Sequence, residues 1–87
     1  MPFPLGQTVI TVGARDALHP ADVIAALERH ATGDWGDVCA EDKQLNDQAL
    51  KEGARLLSSY QDRNSVKFWI ITEADRSATT VLLPEEY

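Results

Sequence analysis

Asp34, Asp37, Glu41 and Asp42 place four carboxylates within nine residues, and a hard cation would use oxygens of this kind. Their spacing matches no calcium loop. Asp37 is instead read as the cap of the helix that follows, and Glu41 and Asp42 as first-turn charges, so no metal site is expected. His19 and His30 stand eleven residues apart and Cys39 is alone. That is neither zinc-ligand spacing nor a Cys/His nucleophile pair, and all three are expected on the surface or at caps. Glu73, Asp75 and Arg76, with Ser77, Thr79 and Thr80 beside them, have the residue types for acid–base work. A local carboxylate–guanidinium pair holding a turn accounts for the same residues. With no nucleophile motif, phosphate loop or cofactor fingerprint, no catalytic residue and no cofactor are assigned, and the chain is read as a non-enzyme.

The charge balance narrows the partners. Fourteen Asp and Glu against eight Lys and Arg leave a net charge of −6. Binding to DNA or RNA draws its affinity from cations that neutralise phosphates, so direct nucleic-acid binding is not expected and basic protein surfaces are the natural partners. No apolar run approaches the roughly 18 residues of a membrane span, and no basic leader precedes an apolar segment. One cysteine cannot close an internal disulfide, which makes the cytoplasm the expected location.

The elements that must position these residues are legible in the hydrophobic pattern. Lys67 to Thr72 follows Val66 as a strand apolar on both faces, and Ala78 to Leu83 is a β-branched run stopped by Pro84. Glu73 to Ser77 links them as a hairpin loop that contains no glycine. Ala54 to Gln61 alternates as a third strand, and Asp62 to Ser65 is turn chemistry. Gly6 to Val12 reads as a first strand after an extended lead-in over Met1 to Leu5. Ala14 to Leu18 suggests a short helical turn, Pro20 to Ala31 a helix ended by Gly33, and Val38 to Glu52 a polar helix ended by Gly53. The expectation is one α+β domain, order β-α-α-β-β-β: a small antiparallel sheet of about four strands with a C-terminal three-stranded meander and two helices on one face. Trp35, held between two glycines and two aspartates, is read as a core plug, with a binding anchor as the alternative.

The GDWGD segment at Gly33 to Asp37, the RLLSSY run at Arg55 to Tyr60 and WIITEADRSATTVLLPEEY at Trp69 to Tyr87 together resemble a family of small plasmid-related proteins of bacterial mobile elements. The resemblance spans residue 33 onward and implies a genomic neighbourhood in which accessory proteins bind host defence complexes. Two surfaces follow. An acidic one would gather Asp34, Trp35, Asp37, Glu41, Asp42 and Asp47 with Glu85 and Glu86, and with the hairpin group Glu73, Asp75 and Arg76. It would meet a basic or nucleic-acid-binding surface, as an inhibitor of anti-CRISPR or anti-restriction type. The alternative is a self-associating structural or regulatory protein, a homodimer formed through Trp69, Ile71 and Leu82 or through an open sheet edge.

Overall fold

The structure, a computed structural model, describes residues 3–87; Met1 and Pro2, the start of the expected lead-in, lie outside the described residues. The elements run β1 (Gln7–Ile10), α1 (Val12–Ala17), α2 (Pro20–Ala31), α3 (Ala40–Glu52), β2 (Leu56–Gln61), β3 (Lys67–Thr72) and β4 (Ala78–Leu82), and a 3-10 turn at Pro84–Glu86 closes the chain. This is the α+β order the sequence predicts, with the short α1 set before the two main helices. The sheet order is β1-β4-β3-β2. β2, β3 and β4 form the antiparallel meander, while β1 lies parallel to β4, which makes the sheet mixed. A hairpin turn reverses direction and so dictates antiparallel pairing; β1 is separated from β4 by three helices and two strands and is free of that constraint.

α2 begins where its sequence says it should. Pro20 takes the first helical position, Nδ1 of His19 accepts a hydrogen bond from the Ala21 amide, and Asp22 sits in the first turn. Its inner side buries Val23 and Ala26 against Tyr60, Phe68, Ile70 and Val81 of the sheet, and α1 adds Ala14 and Leu18 to the same core. A second cluster joins Phe3, Trp35 and Leu56, with Ala49 and Leu50 of α3 packed on it.

His30 departs from the surface position expected of it. It is fully buried between Ser58 and Thr72, whose hydroxyls satisfy both ring nitrogens. An imidazole on the inner side of α2 is tolerated there because two β-strands present hydroxyls to it.

The C-terminus folds back over part of the sheet face opposite the helices. Tyr87 folds back so that its ring meets Trp69 edge-on at 5.6 Å, and Arg55 donates to its hydroxyl at 2.9 Å. Ile71 and Leu82 are only 3% and 6% exposed, and Trp69 is half-buried. Of the three residues expected to form a dimer surface, Ile71 and Leu82 are thus already removed from water by intramolecular packing, and Trp69 alone stays partly open.

Candidate functional site

The two edges of the sheet are built in opposite ways. Leu57 and Ser59 of β2 turn their amides and carbonyls away from β3, which would leave an open ladder. Asn46 closes the first half. Its Nδ2 donates to the Leu57 carbonyl at 2.7 Å, and its Oδ1 accepts from the Leu57 amide at 3.1 Å, so one side-chain amide imitates a paired strand. The loop before α3 closes the second half: Ser59 N–H donates to the Trp35 carbonyl at 3.1 Å, and Asp37 N–H donates to the Ser59 carbonyl at 2.6 Å. Gly36, at φ +74°, lies where a Cβ would collide with the Ser59 carbonyl and the Tyr60 ring. No larger residue brings the loop this close.

This arrangement places each residue of the expected acidic surface. Trp35 is 2% exposed, stacked with Phe3 and edge-on to His30, with Nε1 donating to Asp47 Oδ1 at 2.8 Å. It is the core plug, and no anchor for a partner. Asp34 receives the Arg29 guanidinium at 2.8 and 3.3 Å, and that bond holds its carboxyl below the usual range. Asp37 does not cap α3, whose N-cap is Cys39; its amide is spent on Ser59. Asp37, Glu41, Asp42 and Asp47 stay exposed, and none of them forms an ion pair among the described residues. Residues 34–52 carry six carboxylates against Lys43 and Lys51, a net −4 of the chain's −6.

Glu85 and Glu86 do not join that group. Glu86 accepts from Thr11 Oγ1 at 2.6 Å and from the Leu83 amide at 2.8 Å, which pins it beside the end of β1. α3 flanks β2, at the far side of the β1-β4-β3-β2 order. The expected acidic face is thus split between opposite edges, three strand spacings or about 14 Å apart.

The hairpin group is structural too. Arg76 takes the left-handed position, φ +62°, that a glycine-free loop must assign to some residue. Its Nη1 donates to the carbonyls of Ala54, Glu73 and Ala74, and its Nη2 to the Ala49 carbonyl in the last turns of α3, where a cation also suits the helix dipole. That guanidinium is consumed internally and is unavailable to a partner. Asp75 accepts from the Ser77 amide at 3.0 Å, and Glu73 lies 3.7 Å from Arg55.

Asn46 and the anchoring role of Arg76 were not foreseen. Asn46 did carry a signal: it stands three and four residues before Ala49 and Leu50, on the apolar stripe of α3, where a polar residue needs a partner.

α2 has two flanks. On the β2 side a cleft of about 250 Å³ is lined by charged groups that already have partners: Asp22 takes Arg63 at 3.0 Å, which holds its carboxyl down to about 2, and Asp62 accepts three backbone amides. On the β1 side an apolar trough of about 420 Å³ runs between Leu5, Ile24, Leu27 and Ala31, and a smaller depression of about 200 Å³ bounded by Ile10 and Val23 shares Ile24 with it.

The chain matches no protein-family model, no curated protein and no solved structure. Among the described residues no three His, Cys, Asp or Glu side chains are placed to hold a metal ion, and no helix is long and apolar enough to cross a membrane.

Proposed function

We propose that the chain is a non-catalytic protein-binding module that docks through the α3 edge onto a basic surface of its partner. One observation carries this reading: residues 34–52 hold a net −4 of the chain's −6. Arg15, Arg29, Arg55 and Arg63 sit in ion pairs and Arg76 in backbone carbonyls, whereas Asp37, Glu41 and Asp42 face solvent unpaired. The non-catalytic part is supported by the cleft beside β2, whose charged groups Asp22, Arg29, Asp62 and Arg63 are all engaged within the fold.

Magnitude decides what kind of partner fits. α3 is about 20 Å long, and a DNA duplex of that length carries roughly 12 charges. The α3 edge offers a net −4. It is too weakly charged to imitate a duplex, and the fit is to a basic protein patch recognised by charge and shape together. Taken with the resemblance to plasmid-related proteins, the partner we favour is a nucleic-acid-binding surface of a host defence complex.

Capture from a bacterial lysate containing CRISPR and restriction complexes tests this. The reading expects a defence subunit retained at low salt, released as salt rises, and lost with the Asp37→Asn, Glu41→Gln, Asp42→Asn variant. Retention indifferent to salt and to those changes, or no retention, overturns it.

A further inference from the structure

The β1 edge is the structural opposite of the β2 edge. In the parallel register with β4, the Gln7 and Thr11 amides donate to Ser77 and Val81. The alternate residues, Thr8 and Ile10, therefore turn both their N–H and C=O groups outward. Among the described residues no side chain or loop covers them: all four residues of β1 are exposed. The strand is short, but Gln7-Thr8-Val9-Ile10 holds no charge, no proline and no bulge to deter pairing.

Apolar surface collects at the same place. Of six large hydrophobic residues exposed in the described chain, four belong to this flank: Val9 at 42%, Ile10 at 37%, Val12 at 65% and Ile24 at 59%. The trough beside α2 continues this surface inward from Ile24 to Leu27. Concentration of this kind marks an interaction surface, whereas scattered apolar residues would not.

We infer that β1 pairs antiparallel with β1 of a second copy of this chain, joining the two sheets into one of eight strands. Three observations select that occupant. A twofold register centred on Val9 sets Thr8 opposite Ile10 of the partner in both directions, so every outward donor and acceptor of the two residues is used, and Val9 meets its own mate across a close, non-hydrogen-bonded pair. The strand is uncharged, so self-pairing puts no like charges face to face although each copy is at −6. And the two α3 edges, each with a net −4 in residues 34–52, finish outermost, some seven strand spacings or about 34 Å apart, several times the Debye length of about 8 Å in physiological salt.

Area sets what else must join. A stable pair needs roughly 800 Å² from each copy, about a sixth of the 5074 Å² surface. Four residues of strand cannot supply it. Val12, Ile24 and the trough flank must be covered as well, and their exposure in the single chain is then explained.

The inference stands apart from the basic partner proposed above, since it uses the other edge. Sedimentation equilibrium of the whole chain should show a monomer–dimer equilibrium that Val9→Lys and Ile24→Lys each weaken by at least about tenfold, a 1.4 kcal/mol step, without altering the circular dichroism spectrum. Register is read separately in a Cys39→Ser background. Val9→Cys should oxidise to a covalent dimer, because twofold pairing brings the two positions within disulfide reach. Gln7→Cys should not, because the two copies of residue 7 lie about 13 Å apart along the strands. A chain that stays monomeric at every concentration overturns the inference, as does a dimer untouched by both lysine substitutions or one that crosslinks equally well from position 7. Capture of the basic partner by the Val9→Lys chain is expected to be unchanged.

Discussion

Ser58 donates its hydroxyl hydrogen to Nδ1 of His30 across 2.5 Å, and the direction of that bond is fixed at the far end of a buried chain of four side chains. Thr79 Oγ1 bonds the Leu5 carbonyl at 2.7 Å, and a carbonyl only accepts. Thr79 has thus given its hydrogen away and must accept from Thr72 at 2.8 Å. Thr72, its own hydrogen spent, accepts from Nε2–H of His30 at 2.8 Å. Nδ1 is left bare, and Ser58 fills it. The network selects one neutral tautomer and stitches α2 to β2, β3, β4 and the N-terminal segment.

Charging that ring is costly, and stability should follow. Burial first, and the nearby positive Arg76 second, push the His30 pKa from 6.5 down to about 4. The unfolded chain then binds the extra proton more readily than the folded one, so stability is fully present above about pH 6.5 and is lost as pH falls towards about 4. The loss across that window is expected to be about 3 kcal/mol. Urea unfolding at a series of pH values measures it. His30→Leu should cost about 2–4 kcal/mol at neutral pH, by leaving the Ser58 hydroxyl without its acceptor and Thr72 without its donor, and should flatten the slope between those values. An unchanged slope would mean that another group titrates there.

Asn46→Leu removes the clamp on β2 while keeping volume and helix propensity. It is expected to cost about 1.5–3 kcal/mol, because the Leu57 amide and carbonyl lose their partner. Amide exchange at Leu57 should accelerate well beyond that at Phe68 in the sheet interior. A loss in stability with Leu57 still protected would show that another group replaces the clamp.

Gly36 and Gly53 separate backbone strain from collision. Their φ values are +74° and +73°, but a Cβ at Gly53 meets nothing within 4 Å while one at Gly36 strikes Ser59 and Tyr60. Gly53→Ala should therefore cost about 1 kcal/mol, and Gly36→Ala about 1–3 kcal/mol more. Thermal or urea denaturation of the two variants decides it, and equal costs would place the loop farther from β2.

Arg76→Lys tests the four-carbonyl anchor. A lysine brings one charge but no planar fork, and about 1–3 kcal/mol should be lost. Arg15→Ala, which removes an exposed pair with Asp16, should lie within about 0.5 kcal/mol of the parent chain. Similar effects at the two positions would demote Arg76 to an ordinary surface cation.

How much was legible depends on whether the deciding partner is near in sequence. Pro20, Gly53 and the alternation in Leu56 to Gln61 act locally, and the elements they announce are where they announce them. The helix after Trp35 starts at Ala40, two residues later than its first apolar residue suggests, because the loop is drawn against β2. His30, Arg76, Ile71 and Leu82 were misplaced for one common reason. Their surroundings come from Ser58 and Thr72, from the end of α3, or from packing on the second face of the sheet, and no local pattern in the sequence encodes those meetings. The acidic residues of α3 kept their exposed positions because a helix with so thin an apolar stripe buries little.

The contrast between a shut β2 edge and an open β1 edge is the centre of this account, and residue-resolved amide hydrogen exchange across a dilution series tests it most directly. Leu57 and Ser59 should be protected at every concentration, while Thr8 and Ile10 should exchange freely when dilute and become protected as concentration rises. Protection of Thr8 and Ile10 in the dilute monomer, or rapid exchange at Leu57 and Ser59, would contradict it.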